Sequence, residues 1–166
     1  GRLTKEQVYI DSPMAIETTT LYRGHRELFD EDTWKIINEG HSPLRFPGLH
    51  YARTPDESRA LNTMGNGVVV IAAAGMCTGG RILHHLKHNL WREQTHVVFV
   101  GYQGSGTLGR KIVQGSKMIR VMGEPIRVNA QIHTLGGFSA HAGQSELVGW
   151  ATPALQSKPR LILNHG

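Results

Sequence analysis

Cysteine is almost absent from the sequence: Cys77 is the single one among 166 residues. One thiol excludes a disulfide within the chain, and low cysteine content is typical of a reducing, cytoplasmic location. A catalytic thiolate needs a base or a cation nearby, and the sequence shows none next to Cys77. We therefore expect a small buried side chain here rather than a nucleophile.

Long apolar runs are also missing. No stretch approaches the roughly 20 apolar residues that span a bilayer, so we expect no membrane association. Charged residues interrupt the first ten positions, and no signal-peptide core is expected there. With 39% hydrophobic and 19% charged residues, the composition is that of one ordinary globular domain, or one and a fraction.

Acidic residues are the scarcer charge, with 13 Asp and Glu against 18 Lys and Arg, for a net charge of +5. This excess is compatible with a polyanionic partner but does not identify one. The basic residues are spread along the chain singly and in pairs. Any basic surface must therefore be assembled by folding.

The stretch that organises the chain is 68–90, VVVIAAAGMCTGGRILHHLKHNL. Its first four residues, Val68–Ile71, form a β-branched run typical of a strand buried on both faces of a parallel sheet. A loop of small residues, 72–80, then leads to an amphipathic helix with apolar residues near 3.6 spacing. Backbone N–H groups at the helix N-terminus, with Arg81 in the first turn, favour an anion such as phosphate.

A plainer interpretation of this loop stays open. Glycine-rich turns between a strand and a helix occur in most α/β folds because they let the chain reverse tightly. No Gly-Lys-Ser/Thr closes the loop, and no dinucleotide fingerprint is present. The pattern alone leaves open a phosphate or nucleic-acid contact and a purely structural turn.

Strands and helices alternate through the first hundred residues. This alternation predicts an α/β fold with a parallel sheet, helices on both faces and ligands at the carboxyl ends of the strands. The loops expected to meet at that edge are 11–15, 74–81 and 101–110. The predicted strands are 7–10, 68–71 and 96–100, and residues 41–53 are expected to be mostly loop or a short strand. The predicted helices are 14–28, one ending at Gly40, one opened by Thr54 and one after Arg81.

The pattern changes after about residue 117. Extended segments at 118–122 and 126–132, joined at Gly123-Glu124-Pro125, predict a hairpin. A loop, LGGFSAHAG, a helix at 144–155 and a strand at 160–163 follow. A chain that stops at a strand end, directly after a histidine, is expected to be a fragment.

Several stretches together resemble the β-CASP type of metallo-β-lactamase-fold hydrolase, and most closely its bacterial and archaeal RNA-processing members, which are related to the cleavage and polyadenylation nuclease. The resemblance covers essentially all 166 residues in order. The matching stretches are VYIDSPMA (8–15), GMCTGGRILHHLKHNL (75–90), VVFVGYQGSGTLGR (97–110), HTLGGFSAHAGQSEL (133–147) and LILNHG (161–166).

The resemblance implies a specific organisation. Residues 1–124 correspond to a β-CASP lid, and 125–166 to the chain returning to a metallo-β-lactamase αββα domain that binds two zinc ions. RNA, expected to be single-stranded, would enter the cleft between the two domains. His141 falls on the family histidine that assists phosphodiester cleavage, and His165 on a late histidine that ligates zinc.

The same resemblance implies that the glycine-rich loops face the RNA cleft. The implied phosphate- or RNA-binding residues are Asp11, Ser12, Thr78, Gly79, Gly80, Arg81, Arg110 and Ser139. An alternative for Arg81 stays open, in which its guanidinium pairs with a carboxylate such as Asp11 as a core or interdomain contact.

Two departures from the family pattern matter. The HxHxDH ligand cluster that holds most of the zinc does not occur, so this chain is expected to lack the family's N-terminal metal-binding region and a competent two-zinc site. Gly143 also stands where the family often has an Asp after the SAHA motif. The missing ligand cluster implies that this chain alone is inactive. The missing Asp would affect the rate of cleavage and not the class of reaction.

Other histidines and one tyrosine have competing interpretations. His84, His85 and His88 offer an i, i+4 metal spacing without an acidic companion, so a metal site is not expected there. His133 is expected to be structural. Tyr102 is compatible with stacking on an RNA base or with ordinary packing.

The resulting prediction is part of a cytoplasmic, zinc-dependent ribonuclease, with a homodimer possible. A rival class is a non-catalytic module that binds RNA or a partner protein. A third is a phosphate-binding α/β domain that acts on small metabolites. Zinc content separates the first from the others, and salt-dependent RNA affinity separates the second from the third.

Overall fold

A computed structural model describes residues 7–42, 44–138 and 142–162. Its elements follow the alternation that the sequence predicts. In chain order they are β1 (Gln7–Ile10), α1 (Pro13–Gly24), a 3₁₀ turn (Arg26–Leu28), α2 (Glu31–Asn38), β2 (Leu49–Tyr51), α3 (Pro55–Leu61), β3 (Val68–Ile71), α4 (Ile82–Asn89), β4 (His96–Phe99), α5 (Leu108–Val113), β5 (Met118–Val121), β6 (Glu124–Arg127), β7 (Gln131–Thr134) and α6 (Gln144–Leu155).

The first sheet has the strand order β2-β1-β3, and all its strands are parallel. In its register Val8 lies opposite both Leu49 and Val69. Parallel neighbours require crossover connections, which α1, α2 and α3 supply. The predicted α/β class with a parallel sheet is therefore confirmed.

Side-chain caps start several helices where the sequence predicts them. The hydroxyl of Ser12 accepts the N–H of Ala15 at 3.3 Å, with Pro13 in the first turn of α1. Thr54 and Glu57 form a reciprocal capping box at the start of α3. Such caps satisfy N–H groups that have no partner inside the helix, so they fix where each helix begins.

The second half of the chain packs around its own core. Strand β4 pairs in parallel with β7, and β5 pairs with β6 in an antiparallel hairpin. Leu90, Ile112 and Val121 are completely buried in this core, and Ala130 joins them from the segment before β7. The interior is therefore continuous across residue 124.

One expectation about the central strand is wrong. Val69 and Ile71 remain 41% and 52% exposed, so the described residues cover one face of β3 and leave the other accessible. The β-branched run correctly predicted a strand, but it did not predict that one face of the strand is exposed. Continuous apolar sequence shows what a strand tolerates, not which segments cover it.

The boundaries also differ in three places. Helix α1 ends at Gly24, and a separate 3₁₀ turn follows, so the helix predicted at 14–28 is split. The hairpin turns at Met122 and Gly123, both at positive φ, and its second strand ends at Arg127, which frees 131–134 to pair with β4. Residues 160–162 are not in a strand, and Leu161 and Ile162 are exposed.

Among the helices of the described ranges, none combines the length and apolar character needed to cross a membrane.

Candidate nucleic-acid interface

Asp11 sits directly after β1, and its side chain is completely buried. Its backbone N–H donates to the carbonyl of Ile71 at 2.8 Å, which continues the pairing of β1 with β3 by one residue. Ser12 is also buried and caps α1. The strand-to-helix junction after β1 is therefore placed by backbone pairing and capping together.

Three side chains from distant parts of the chain donate to the Asp11 carboxylate. Arg81 Nη1 lies 2.6 Å from Oδ1, while Ser58 Oγ and His85 Nε2 each lie 2.6 Å from Oδ2. We call Asp11, Ser58, Arg81 and His85 the Asp11 cluster. Through these contacts the end of β1 is joined to α3 by Ser58, to the loop before α4 by Arg81 and to α4 by His85.

Arg81 also holds the strand next to β1. Its guanidinium donates to the carbonyl of Ala52 at 2.8 Å and to that of Arg53 at 3.1 Å, just beyond β2. The pairing of Arg81 with Asp11, which the sequence left open, is thus present in the structure. Direct RNA contact by these two residues stays a prediction, and the buried carboxylate presents no surface of its own to a ligand.

Each ring nitrogen of His85 has a polar partner within hydrogen-bond distance. Asn89 Nδ2 donates to the carbonyl of His85 at 3.0 Å and to Asn62 Oδ1 at 2.9 Å, which fixes the atom of Asn62 that faces the ring as an acceptor. That oxygen lies 3.0 Å from His85 Nδ1, while Nε2 lies 2.6 Å from Asp11 Oδ2. Contacts at both ring nitrogens fix the orientation of the His85 ring between Asp11 and Asn62.

The charge of Asp11 is stabilised by these contacts. Burial by itself raises the pKa of a carboxyl group, because the charged form loses water. Hydrogen bonds from Ser58, His85 and Arg81, with the nearby charge of His85, outweigh burial and lower the pKa of Asp11 below its ordinary value of 3.8. The cluster is therefore built around an ionised carboxylate.

The glycine-rich loop before α4 is arranged differently from the simple anion site that the sequence predicts. The N–H of Ile82 donates to the carbonyl of Ala73 at 3.3 Å, and the N–H of Leu83 donates to that of Gly80 at 3.3 Å. The first N–H groups of the helix are thus satisfied within the chain. In the described residues, the N–H groups of 78–81 have no backbone acceptor, so a phosphate contact would fall on them.

The loop after β4 packs against this glycine-rich loop. Gln103 is buried, and its Nε2 donates to the carbonyl of Gly75 at 3.0 Å. The N–H of Gly109 donates to the carbonyl of Met76 at 3.1 Å. The structure thus brings together the three segments expected at the carboxyl ends of the strands, with Asp11 joined to Arg81 and the 75–81 loop joined to 101–110.

Arg110 and Tyr102 occupy this second loop with different exposure. Arg110 is half-buried, and within the described ranges its guanidinium forms no hydrogen bond or ion pair. Tyr102 is 76% exposed, so its ring is not packed against the residues of this chain. Contact of either side chain with RNA stays a prediction.

Cys77 is buried, as predicted, with 3% of its surface exposed. Loss of solvation raises the pKa of its thiol from 9.0 to about 11. A thiol with so high a pKa is almost entirely protonated near neutral pH, and only the thiolate is strongly nucleophilic. Cys77 is therefore a packing residue.

The described histidines do not assemble a metal site. His85 is committed to Asp11, while His84 and His88 are exposed on α4. His133 pairs with His96 across β7 and β4, with Nε2 and Nδ1 2.9 Å apart. In the three described ranges, no group of three or more His, Cys, Asp or Glu side chains has an arrangement that holds a metal, so these residues do not fit a zinc centre.

The remaining predicted site residues, Ser139, His141 and His165, lie outside the described residues. Conversely, sequence reasoning missed the roles of Ser58, Asn62 and Gln103. Ser58 is 47 residues from its partner Asp11, and no local spacing signals such a contact. A buried polar residue is recognised only when the fold brings its partners to it.

Comparison with known proteins agrees with this geometry. The Beta-Casp domain family matches residues 1–112, and the family of the Zn-dependent metallo-hydrolase RNA specificity domain matches residues 125–166. The chain belongs to the Beta-Casp family, as its motifs predict.

Characterised relatives share the sequence over nearly the whole chain. Ribonuclease TTHA0252 of Thermus thermophilus is 44% identical over 165 residues, covering 99% of this chain and 37% of that protein. Transcription termination factor FttA is 33% identical in Methanocaldococcus jannaschii and 30% identical in Thermococcus kodakarensis, over 96% of this chain in each case. The chain spans 26% and 25% of those two proteins, so it corresponds to a minor part of the relatives it matches.

Proposed function

We propose that the chain is part of a cytoplasmic, zinc-dependent ribonuclease that hydrolyses phosphodiester bonds of single-stranded RNA. The observation that carries this proposal is the 44% identity to a protein named as a ribonuclease, over 99% of the chain. The family description of residues 125–166, which names RNA specificity and zinc-dependent hydrolysis, supports the same class.

In this proposal residues 1–124 form the lid, and residues 125–166 return to the catalytic domain. The two family matches end at 112 and begin at 125, which supports a boundary in that interval. Because Ala130 and Ile132 pack against the core formed by Leu90 and Val121, the start of the returning segment is fastened to the lid. That contact would help the two domains keep a fixed cleft.

The residues of the lid divide into two roles. The Asp11 cluster positions the loop before α4, while the N–H groups of Thr78, Gly79 and Gly80 and the side chain of Arg110 contact RNA phosphates. Ser139 would add a hydroxyl donor from the SAHAG loop. Backbone amides and an arginine are suited to this because they donate to phosphate oxygens without reading the base.

His141 would act at the reacting phosphate, donating a proton to the leaving oxygen or stabilising the charge that develops there. The family implies two zinc ions, with His165 as one ligand. The described residues provide no zinc centre, so the other ligands would lie in the remainder of a longer protein. A homodimer of that protein stays a prediction.

The test uses the complete natural polypeptide that contains this chain. Zinc per chain is measured by elemental analysis, and cleavage of end-labelled RNA is followed with and without a chelator. We expect about two zinc ions, as in two-metal hydrolases, and cleavage that the chelator abolishes. Absence of both zinc and cleavage, with RNA affinity retained, would instead identify a non-catalytic RNA-binding module.

A further inference from the structure

A groove runs along the outer edge of the first sheet, on the side of β2. It has a volume of about 760 Å³, and its lining includes Arg23 from the end of α1, His41 after α2, and Arg45, Phe46 and Tyr51 around β2. This volume lies within the range of about 300–1,000 Å³ typical of ligand-binding clefts. We call it the Arg23–Tyr51 groove.

The charge of the groove is positive. Arg23 and Arg45 are exposed, neither forms an ion pair among the described residues, and no carboxylate lines the groove there. Among the acidic residues of the neighbouring segments, Glu27 pairs with His25, Asp32 pairs with Lys35, and Glu39 is exposed at the end of α2 outside the lining. The two guanidinium groups are therefore available to an anion.

Two aromatic residues, Phe46 and Tyr51, line the same groove as these two arginines. Phe46 is 45% exposed, which is unusual for a phenylalanine that serves only the core. The ring of Tyr51 is half-buried, and the guanidinium carbon of Arg53 lies 5.7 Å from its centroid. Rings interleaved with arginines are the combination that binds single-stranded nucleic acid, because bases stack on the rings and phosphates pair with the guanidinium groups.

The groove is separate from the predicted cleft. In the strand order β2-β1-β3, β2 is the outer strand, while the glycine-rich loop follows β3 at the far side of the sheet. Arg23 lies at the C-terminal end of α1, whereas Asp11 and Ser12 precede its N-terminal end. A ligand in the groove thus contacts a different surface from one held by 78–81 and Arg110.

We propose that the Arg23–Tyr51 groove binds a segment of single-stranded RNA outside the cleft, with Arg23 and Arg45 on phosphates and Phe46 stacked on a base. The proposal rests on the proposed function for the identity of the polymer. It adds a second contact surface, which would hold an RNA longer than the part being cleaved.

The test measures binding of an end-labelled oligouridine of about ten nucleotides to the whole chain by fluorescence anisotropy, between about 50 and 200 mM salt. The double variant Arg23→Ala/Arg45→Ala is compared with Arg127→Ala/Arg160→Ala, which removes the same charge from exposed positions outside the groove. For the groove variant, we expect weaker binding and a salt slope lower by about 0.7 for each lost phosphate contact. The control variant is expected to keep the wild-type slope.

A second pair of variants separates stacking from charge. Phe46→Ala is expected to weaken binding by about fivefold or more, while Phe46→Tyr, which keeps a ring, retains the wild-type affinity. Melting temperatures of all variants confirm that each one is folded. Equal losses in the groove and control double variants, or unchanged affinity in both, would overturn the groove as an RNA site and leave a protein partner as its occupant.

Measuring RNA cleavage by the complete polypeptide distinguishes failure of the groove proposal from failure of the proposed function. Cleavage that persists while the groove variants bind RNA like the wild type overturns the groove alone. Absence of cleavage and of RNA affinity overturns both proposals. Cleavage that persists with weakened binding of the groove variants supports the groove.

Discussion

Arg81 and Asp11, 70 residues apart in the sequence, are joined by a hydrogen-bonded ion pair of 2.6 Å at the carboxyl end of the first sheet. The carboxylate is completely buried, and only 19% of the arginine side chain is exposed. This pair ties the strand whose end carries Asp11 to the glycine-rich loop that precedes α4. Four predictions concern this sheet and its loops, and a fifth concerns catalysis.

Removing Arg81 is expected to destabilise the fold strongly. Arg81→Ala leaves a buried carboxylate with fewer donors, a change that typically costs about 3–5 kcal/mol. Lys87→Ala is the matched control, because it breaks the more exposed Lys87–Glu124 pair, worth about 1 kcal/mol or less. Urea unfolding measures both, and equal effects would show that the buried pair has no special weight.

Acid is expected to destabilise the chain through Asp11. Because the folded-state pKa of Asp11 is lowered from 3.8, its contribution is fully present above the ordinary pKa and is lost as the pH falls through the folded-state value. Urea midpoints measured between about pH 6 and pH 2 should fall less steeply for Asp11→Asn than for the wild type, with the difference arising below about pH 4. Parallel pH profiles would contradict this assignment.

Gly80 is expected to tolerate no side chain, while its neighbour does. Gly80 has φ +73°, and a Cβ there would lie 2.6 Å from the carbonyl oxygen of Ala73. Gly80→Ala should therefore cost more than the roughly 1–2 kcal/mol of the left-handed conformation alone. Gly79→Ala meets nothing within 4 Å and serves as the control, with a stability close to wild type.

Cys77 is expected to resist thiol–disulfide exchange in the folded chain. Its pKa of about 11 and its burial leave almost no accessible thiolate at neutral pH. Reaction with a chromogenic disulfide should be slow in buffer and complete in denaturant. Rapid labelling of the native chain would show that the 75–81 loop opens and that Cys77 is more accessible than the structure indicates.

Much of the first sheet was predictable because its signals are local. Thr54 and Ser12 are typical N-cap residues and Pro13 suits the first turn of a helix, so a few neighbouring residues predict both helix starts. Family membership was predictable for a related reason, since motifs such as VYIDSPMA and GMCTGGRIL are long and occur in order.

The contacts within the site were harder to predict because they are set by tertiary structure. His84, His85 and His88 all lie on α4. Only His85 contacts Asp11, from which it is 74 residues away in the sequence. The pairing of β7 with β4 likewise depends on where the hairpin turns, which two positive φ values at Met122 and Gly123 decide. Neither feature has a signature in the residues that immediately surround it.

The role of His141 is the most direct test of the proposed catalysis. RNA cleavage by the complete polypeptide is measured for His141→Ala and, as the matched control, for His88→Ala on the exposed side of α4. We predict a rate lower by about 10²–10⁴ for His141→Ala, with zinc content and RNA affinity unchanged, and a wild-type rate for His88→Ala. Equal cleavage rates for the wild type and His141→Ala would contradict it.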